Sequence, residues 1–255
     1  MTHTPTFLGQ NRPLNTCMIQ IDTVAEARDL ARTAAFDGCD AYGFQLEQIP
    51  VAERTEKKIK SIFAQMGGRP IYVTNYRKHA NGDASDDELL DGLLTMRHWG
   101  ATLLDIMGDF YDPTPGELTM NPAAIARQKE AIARIHAAGG EVLMSSHVLK
   151  FTPAEEVLRI ALAHQARGAD IAKIVTATDS DEEELENLRI TALLKRELAI
   201  PFLFLSGGTH NQRHRLFGPM FGCAMWLTVP EHHRCSTKSQ PLCRAVSDIA
   251  RAVPW

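Results

Sequence analysis

The sequence contains no apolar run near the roughly 20 residues that a membrane-spanning helix needs, so we expect no membrane contact. Its net charge is −4, which gives no indication of a basic surface for nucleic acid. The first sixteen residues, MTHTPTFLGQNRPLNT, lack a basic start followed by an apolar stretch, so we expect no signal peptide. These absences favour a cytoplasmic protein without a nucleic-acid or membrane partner.

Paired cysteines are also missing. The five cysteines are an odd number and include no C-x-x-C, and Cys17, Cys39 and Cys223 lie in apolar stretches as small core residues do. This usage is typical of reduced thiols in an intracellular protein. The segment EHHRC (231–235) holds two adjacent histidines and a cysteine, but it lacks the spacing of a metal site and an evident acidic partner. We therefore expect no bound metal.

Short apolar runs alternate with longer amphipathic ones along the chain. The short runs are rich in β-branched, aromatic and aliphatic residues and predict strands. There are eight of them: CMIQI (17–21), CDAYGFQL (39–46), PIYVTN (70–75), ATLLDIM (101–107), EVLMSS (141–146), IAKIVT (171–176), FLFLS (202–206) and CAMWLTV (223–229).

The segments between these runs carry helix signals. Thr23 is a candidate N-cap with Glu26 three residues later, and Asn121 and Thr152 each precede a proline suited to a first helical position. Eight strand–helix units in about 250 residues predict an α/β fold, a (β/α)8 TIM barrel, as a single domain over residues 1–255. An open doubly wound sheet is the alternative, but the Gly-rich phosphate loop of dinucleotide-binding proteins is absent.

Lys173 is unusual because it lies in the middle of a predicted buried strand, on the same face as Ile171 and Val175. If it points into a barrel, desolvation favours the neutral amine, which can attack a ketone and form a Schiff base. The alternatives are an ion pair with a carboxylate such as Asp105, or a side chain that extends past the strand end to water.

Polar residues follow several other predicted strands, where a barrel of this kind has its active site. His147 directly follows the fifth strand and is a candidate acid–base group or a hydrogen-bonded loop histidine. Candidate anion ligands are Arg77, Arg213 and Arg215, although most arginines are solvated surface charges. Glu47 follows the second strand and either lines the mouth of the barrel or lies in the loop.

Several ordered segments resemble type I 3-dehydroquinate dehydratase, the Schiff-base class of that enzyme. The similar segments are GQNRP (9–13), VTNYRKHANGD (73–83), LMSSHVLKFTP (143–153), GADIAKIV (168–175), LSGGTHNQRHRLFGPMFGC (205–223) and STKSQP (236–241). The resemblance implies that Lys173 forms the Schiff base with the ketone of a cyclic 3-keto acid and that His147 is the catalytic acid and base. It implies no metal or organic cofactor, a small-molecule keto acid substrate and a homodimer.

Substrate contacts follow from the same resemblance. Arg215, Ser236 and Gln240 would hold the carboxylate and a neighbouring hydroxyl, and Arg77 would bind ring hydroxyls. Gln20 takes the place of a small polar residue on the first strand. The loop that carries Ser236 and Gln240 is expected to close over the substrate.

The second strand departs from the family pattern. Where the family has Glu-x-Arg to contact the ring, this sequence has Gly43-Phe44-Gln45, and Met107 stands where the fourth strand often has Glu. Three functions are therefore compared: a 3-dehydroquinate dehydratase, a divergent Schiff-base lyase or aldolase for a related keto acid, and a non-catalytic barrel that binds a carboxylate. Retention of Lys173 and His147 argues against the third, because a binding protein needs no imine chemistry.

Overall fold

The computed structural model describes residues 5–255, so the first four residues of the predicted domain lie outside the described part. Eight strands alternate with helices in this part of the chain. The strands are β1 (Leu14–Ile19), β2 (Ala41–Gln45), β3 (Ile71–Thr74), β4 (Leu103–Met107), β5 (Glu141–His147), β6 (Ile171–Thr178), β7 (Phe202–Gly208) and β8 (Met225–Thr228).

Each strand is followed by a helix. The helices are α1 (Val24–Phe36), α2 (Glu56–Phe63), α3 (Asp86–Trp99), α4 (Pro122–Ala137), α5 (Ala154–Arg167), α6 (Asp181–Glu197), α7 (Gln212–Phe217) and α8 (Cys243–Ala252), with short 3-10 turns between some elements. Among residues 5–255, no helix combines the length and apolar character needed to cross a bilayer.

All strand pairs are parallel, and the sheet has the order β7-β6-β5-β4-β3-β2-β1-β8. Its two outer strands approach each other where β7 and β8 begin, since the Ala224 N–H donates to the Phe202 carbonyl at 2.8 Å. The sheet thus curves into a nearly closed barrel with the helices outside, and the expected (β/α)8 TIM barrel is confirmed.

Local sequence signals explain where several helices begin and end. Thr23 accepts a hydrogen bond from the Glu26 N–H at the start of α1, and Asn121 caps α4 with Pro122 in the first helical position. Gly168 ends α5 with a φ of +99°, which a residue with a side chain rarely adopts. The predicted cap of α5 is wrong: Pro153 is the N-cap residue, and the Thr152 hydroxyl donates to the Lys150 carbonyl instead.

The strands bury side chains on both faces. Outward residues such as Phe44, Val73 and Ile106 pack in a core cluster with residues of the first helices. Inward residues fill the lumen, where Met18 and Tyr72 belong to a second cluster with several aliphatic side chains. These include Leu103, Leu143, Ile171 and Leu203. The lower lumen is therefore packed, and the inward polar side chains lie from its centre toward the carboxyl ends of the strands.

Candidate active site

Lys173 lies inside the barrel, 4% exposed, and extends across the lumen. Its Nζ atom donates to the Tyr76 hydroxyl at 2.6 Å, to the Tyr72 hydroxyl at 3.1 Å and to Asp105 Oδ2 at 3.3 Å. Strand β6 is separated from β4 by one strand and from β3 by two, so these contacts cross the interior. Of the alternatives for Lys173, the structure shows the ion pair with Asp105 and not a side chain extended to water.

Asp105 balances the charge of Lys173 at the centre of the lumen. The carboxylate also accepts hydrogen bonds from the hydroxyls of Tyr72, Tyr76 and Ser145. Burial raises the pKa of Asp105, but the charge of Lys173 and the three hydroxyl donors outweigh that effect, so the pKa lies below its ordinary value. Asp105 therefore stays ionised beneath the amine.

Tyr72 and Tyr76 are site residues that the sequence analysis did not identify. Burial raises the pKa of both phenols well above the ordinary value, and the charge of Asp105 adds to this effect. Both therefore remain protonated donors at neutral pH. Residues 72, 74 and 76 share the inward parity of β3 and its extension, and this parity was the available signal for them.

His147 ends β5 and is oriented by an acid from another loop. Its Nδ1 atom lies 2.6 Å from Glu117 Oε2, and its backbone N–H donates to the same oxygen at 3.2 Å. Because a carboxylate only accepts, Nδ1 carries the hydrogen in the neutral ring, and Nε2 is left with a free lone pair. The ring also packs edge-on against Tyr76, with centroids 5.3 Å apart.

His147 and Lys173 come from neighbouring strands but not from the same level. Ser145 is the register partner of Lys173, whereas His147 pairs with Val175. Two residues of strand correspond to about 6.6 Å, so His147 lies one layer nearer the mouth than Lys173. Tyr76 connects the two levels, since its hydroxyl contacts Lys173 and its ring contacts His147.

Glu117 reaches His147 through a shaped loop between β4 and α4. Its backbone has a φ of +52°, and its carbonyl accepts a hydrogen bond from the Ser146 hydroxyl at 2.6 Å. A Cβ atom on Gly108 would lie 2.6 Å from that carbonyl, so the close approach of the two segments requires glycine there. No periodic pattern marks a loop residue of this kind, which is why the sequence did not reveal Glu117.

Arg215 provides a buried positive charge near the carboxyl end of β7. It lies in α7 with 7% of its surface exposed, and its Nε atom donates to the Ser206 carbonyl at 2.7 Å. Burial lowers its pKa to about 10, and within residues 5–255 no carboxylate lies within 4.0 Å of it. An unneutralised guanidinium in such a place is suited to binding a carboxylate of a ligand. Arg213, in contrast, is exposed and pairs with Asp181.

The loop between β8 and α8 lies over the carboxyl end of β1. Gln20 Nε2 donates to the Thr237 hydroxyl, and the Thr237 N–H donates to Gln20 Oε1, both at 3.0 Å. Ser236 and Gln240 are buried in this loop, and Gln240 Oε1 has no hydrogen-bond partner among residues 5–255. Gln20 thus holds the loop, and the unpaired end of Gln240 can bind a ligand group.

Arg77 is placed differently from the expectation that it binds ring hydroxyls. Its guanidinium forms a two-bond ion pair with Asp86 and further bonds to the side chain and carbonyl of Asp109. Its pKa is raised because these two carboxylates outweigh the opposing effect of burial. These contacts give Arg77 a role in connecting the β3–α3 and β4–α4 loops and leave it little capacity for a ligand.

Gly43 in β2, where the family pattern has a charged residue, lies next to a large side chain of the neighbouring strand β1. A Cβ atom on Gly43 would lie 2.0 Å from the Met18 Sδ atom, so the methionine side chain occupies the space next to this glycine. Gln45 lies half-buried at the end of β2 and accepts from the Gln48 amide at 3.3 Å. This side of the lumen is therefore shaped by Met18 and Gln45 rather than by charged residues.

Glu47 is fully buried and accepts hydrogen bonds from the Thr74 hydroxyl at 3.0 and 2.9 Å. Burial raises its pKa above the ordinary value. In the EHHRC segment, His233 Nδ1 accepts from the Cys235 N–H at 3.2 Å. Among residues 5–255, no three His, Cys, Asp or Glu side chains are grouped as metal ligands.

The chemistry available at the mouth follows from these positions. A buried amine lies between a carboxylate and two phenols, and an oriented imidazole lies one layer above it. A buried guanidinium has no carboxylate partner in the described part of the chain. This set contains a nucleophile, an acid–base group and an anion ligand, which are the groups that imine chemistry on a keto acid requires.

Two curated relatives are similar to this chain over part of its length. The 3-dehydroquinate dehydratase of Aromatoleum aromaticum is 26% identical over 181 residues, which cover 69% of this chain and 65% of that protein. The 3-dehydroquinate dehydratase of Neisseria gonorrhoeae is 32% identical over 164 residues, which cover 62% and 58%. The chain thus spans less than two thirds of the length of these relatives.

Solved structures share the fold along nearly the whole chain. The 3-dehydroquinate dehydratase of Geobacillus kaustophilus superposes with a TM-score of 0.77 at 19% identity and covers 96% of this chain and 93% of its own. That of Enterococcus faecalis has a TM-score of 0.77 at 18% identity, with 99% and 100% covered. The family model for type I 3-dehydroquinase matches residues 16–252. Because that match includes nearly all of the barrel and both Lys173 and His147, the chain belongs to the type I 3-dehydroquinase family.

Proposed function

We propose that this protein dehydrates 3-dehydroquinate to 3-dehydroshikimate through a Schiff base on Lys173. The observation that carries the proposal is the buried Lys173 amine, held by Tyr76 and Asp105 one layer below the oriented imidazole of His147. Membership of the type I 3-dehydroquinase family and the activity for which the relatives are named support the choice of reaction.

In this mechanism Lys173 condenses with the ketone, and the protonated imine withdraws electrons from the adjacent carbon. His147 Nε2 takes a proton from that carbon and then returns it to the departing hydroxyl, acting as base and then as acid. Glu117 holds the ring in the required tautomer and stabilises the imidazolium that forms. The Asp105 carboxylate offsets the positive charge of the imine throughout.

Arg215 would bind the substrate carboxylate, because its guanidinium is buried and, from residue 5 onward, no carboxylate pairs with it. Ser236 and Gln240 would contact the same end of the substrate from the β8–α8 loop, and Gln240 Oε1 is available for a hydroxyl donor. Gln45 would face the ring from the end of β2, while Gln20 would act by holding the loop through Thr237.

A second candidate is a related cyclic or hydroxylated keto acid. It is favoured by the Met18 side chain next to Gly43 and by the engagement of Arg77 with Asp86 and Asp109. With these groups, the lumen offers fewer charged contacts for ring hydroxyls, and a site discriminates strongly only for hydroxyls that it binds.

Borohydride trapping tests both candidates. The protein is incubated with 3-dehydroquinate and borohydride, the adduct is located by mass spectrometry, and enone formation is followed by absorbance. A reduced adduct on Lys173 with turnover supports the dehydratase, and an adduct with very slow turnover supports a related substrate. Absence of any adduct would contradict both.

Single substitutions test the roles of Lys173, His147 and Glu117. We expect Lys173→Met to lose the adduct and His147→Ala to lose turnover, whereas Lys150→Met, at an exposed lysine of the next loop, keeps both. Glu117→Gln should keep the adduct and reduce kcat at least about tenfold. KM should change little, because Glu117 acts on the orientation of the base and not on the bound substrate. A raised KM with an unchanged kcat would show that Glu117 is only structural.

A further inference from the structure

We propose that Tyr76 is a catalytic acid–base residue that transfers protons between Lys173 Nζ and the ketone oxygen during formation and hydrolysis of the imine. The proposal rests on the function proposed above and adds a group to it. It divides the proton transfers of the site between two residues: His147 moves the proton from the carbon to the departing hydroxyl, and Tyr76 moves protons between Nζ and the ketone oxygen.

The position of Tyr76 distinguishes it from the second phenol. Its hydroxyl is 2.6 Å from Nζ, compared with 3.1 Å for Tyr72. Tyr72 lies within β3 and packs toward Met18 and Gly43, whereas Tyr76 lies beyond the end of β3 and beside His147. A ketone that enters from the mouth therefore meets Nζ on the side where Tyr76 is found.

Among residues 5–255, no hydrogen bond joins His147 to Lys173 Nζ. The His147 Nδ1 atom is occupied by Glu117, and the residue lies one layer above Lys173 in the strand register. The Tyr76 hydroxyl, in contrast, already touches Nζ and Asp105 Oδ2, at 2.6 and 2.5 Å. The Tyr76 hydroxyl can therefore pass protons directly between Lys173 Nζ and a group that it contacts.

Asp105 permits Tyr76 to turn toward the substrate. When the Tyr76 hydroxyl donates to a ketone oxygen, the carboxylate keeps donors from Tyr72 and Ser145 and its ion pair with Lys173. A buried carboxylate with three remaining partners is not left unpaired, so the change carries little desolvation cost.

The proton transfers of imine formation balance without a tyrosinate intermediate. The Lys173 ammonium, paired with Asp105, loses one proton to Tyr76, and the lone pair that this frees forms the C–N bond. Tyr76 gives its own proton to the carbonyl oxygen, which yields the N-protonated carbinolamine. A second proton follows the same path as the C–O bond breaks and water leaves. The nitrogen keeps one proton as the imine cation, and Tyr76 ends each transfer as a phenol. Burial, which raises the pKa of Tyr76, favours this neutral form before and after each step.

Exchange of the ketone oxygen with water tests this role separately from dehydration. The substrate is labelled with 18O at the ketone, and loss of label from the remaining substrate is followed by mass spectrometry and corrected for uncatalysed exchange. Borohydride trapping on Lys173 is measured in parallel. We expect Tyr76→Phe to slow both by about 100-fold, the usual contribution of a positioned acid–base group. Tyr72→Phe, the matched variant, should slow them less than about tenfold.

Exchange by Tyr76→Phe within about threefold of the unsubstituted protein would overturn the proposal, as would an equal or greater loss in Tyr72→Phe. If Tyr76→Phe does not fold, fluorotyrosine at position 76 replaces it, and an exchange rate that does not respond to the more acidic phenol overturns the role. An unsubstituted protein that shows neither exchange nor adduct contradicts the proposed function itself, which separates the two failures.

Discussion

Gly43 and Met18 are neighbouring residues that set the shape of the lumen on the side of β1 and β2. The methionine side chain fills the space that any side chain at position 43 would enter, with its Sδ atom 2.0 Å from the position of a Cβ. Glutamate and arginine at positions 43 and 45 therefore cannot simply be introduced to reproduce the family pattern. Met18 has to move or be shortened first.

A double-mutant cycle tests this dependence. Gly43→Ala should destabilise the protein by about 1–3 kcal/mol through overpacking, and Met18→Ala by about 2–5 kcal/mol through the cavity it leaves. The double variant should lose at least about 0.5 kcal/mol less than the sum, because each change relieves the other. Urea unfolding measures all four proteins. Gly43→Ala with Met144→Ala, an outward residue of β5, is the additive control, and additivity for both pairs would disprove the contact.

Individual site residues differed in how far the sequence revealed them. Lys173 stood out because a charge in an apolar run is costly unless it is paired, and the structure pairs it with Asp105. Tyr76 did not stand out, because a tyrosine near a strand end is ordinary and its importance depends on the distance to Lys173. Glu117 could not be found, since its contact with His147 depends on the path of a loop.

The β8–α8 loop is fixed at its base and along one edge. Val229 and Leu242 form an isolated bridge where the loop begins and ends, and Gln20 holds Thr237 above β1. At its tip, Arg234 pairs with Asp22 and Glu26 near the start of α1. The last contact is the weakest of these, because the three side chains are 52%, 48% and 44% exposed.

Removal of the Arg234 contact should weaken substrate binding without affecting chemistry. Two exposed ion pairs contribute up to about 1 kcal/mol, so Arg234→Ala should raise KM by up to about fivefold with little change in kcat. High salt should reduce the difference between the two proteins, because it screens exposed charges. Arg251→Ala in α8, which removes a similarly exposed pair with Asp248, is the control. A fall in kcat with an unchanged KM would exclude a role for Arg234 in holding the loop over bound substrate.

The helices and strands were predictable where their own pattern determines them. The apolar centres of all eight strands were located, but β1 begins at Leu14 rather than at residue 17, because Asn15 is buried by bonds to Cys243 and Ser247 of α8. Such partners are remote in sequence. The short helices α2, α7 and α8 were not predicted. Helices α2 and α7 have only eight and six residues, which is too few for a clear helical periodicity, and α8 follows a long loop that obscures its start.

The stability of the whole barrel should depend on pH through two buried histidines. Burial lowers the pKa of His164 and of His214 to about 3, well below the ordinary value near 6.5. His164 contacts the Ser146 hydroxyl, and His214 lies between Thr191 and Ser206. The unfolded chain binds protons at these residues below pH 6.5 while the folded chain does not, so their contribution is present above pH 6.5 and is lost as the pH falls toward 3.

Unfolding in urea at pH 7, 5.5 and 4.5 measures this dependence. Each histidine should account for a loss of about 2–3 kcal/mol between pH 7 and pH 4.5. His164→Gln should reduce that loss by the same amount, even though it lowers stability at pH 7, whereas His98→Gln at an exposed position should not. An equal pH dependence in all three proteins would show that His164 does not limit acid stability.

The homodimer and the cytoplasmic location stay predictions of the sequence.

Glu117, which orients His147, comes from a different segment of the chain than the residues that hold Lys173. Lys173 Nζ takes its contacts from β3, from Tyr76 just beyond it and from β4, while His147 takes its orientation from the loop between β4 and α4. Changes in that loop can therefore alter the strength of the base while the nucleophile and its counter-ion stay as they are. For protein engineering, residues 110–120 are the segment to randomise, with Gly108, Asp109 and Asn121 kept, when a new keto acid demands a different rate of proton removal but the same covalent intermediate.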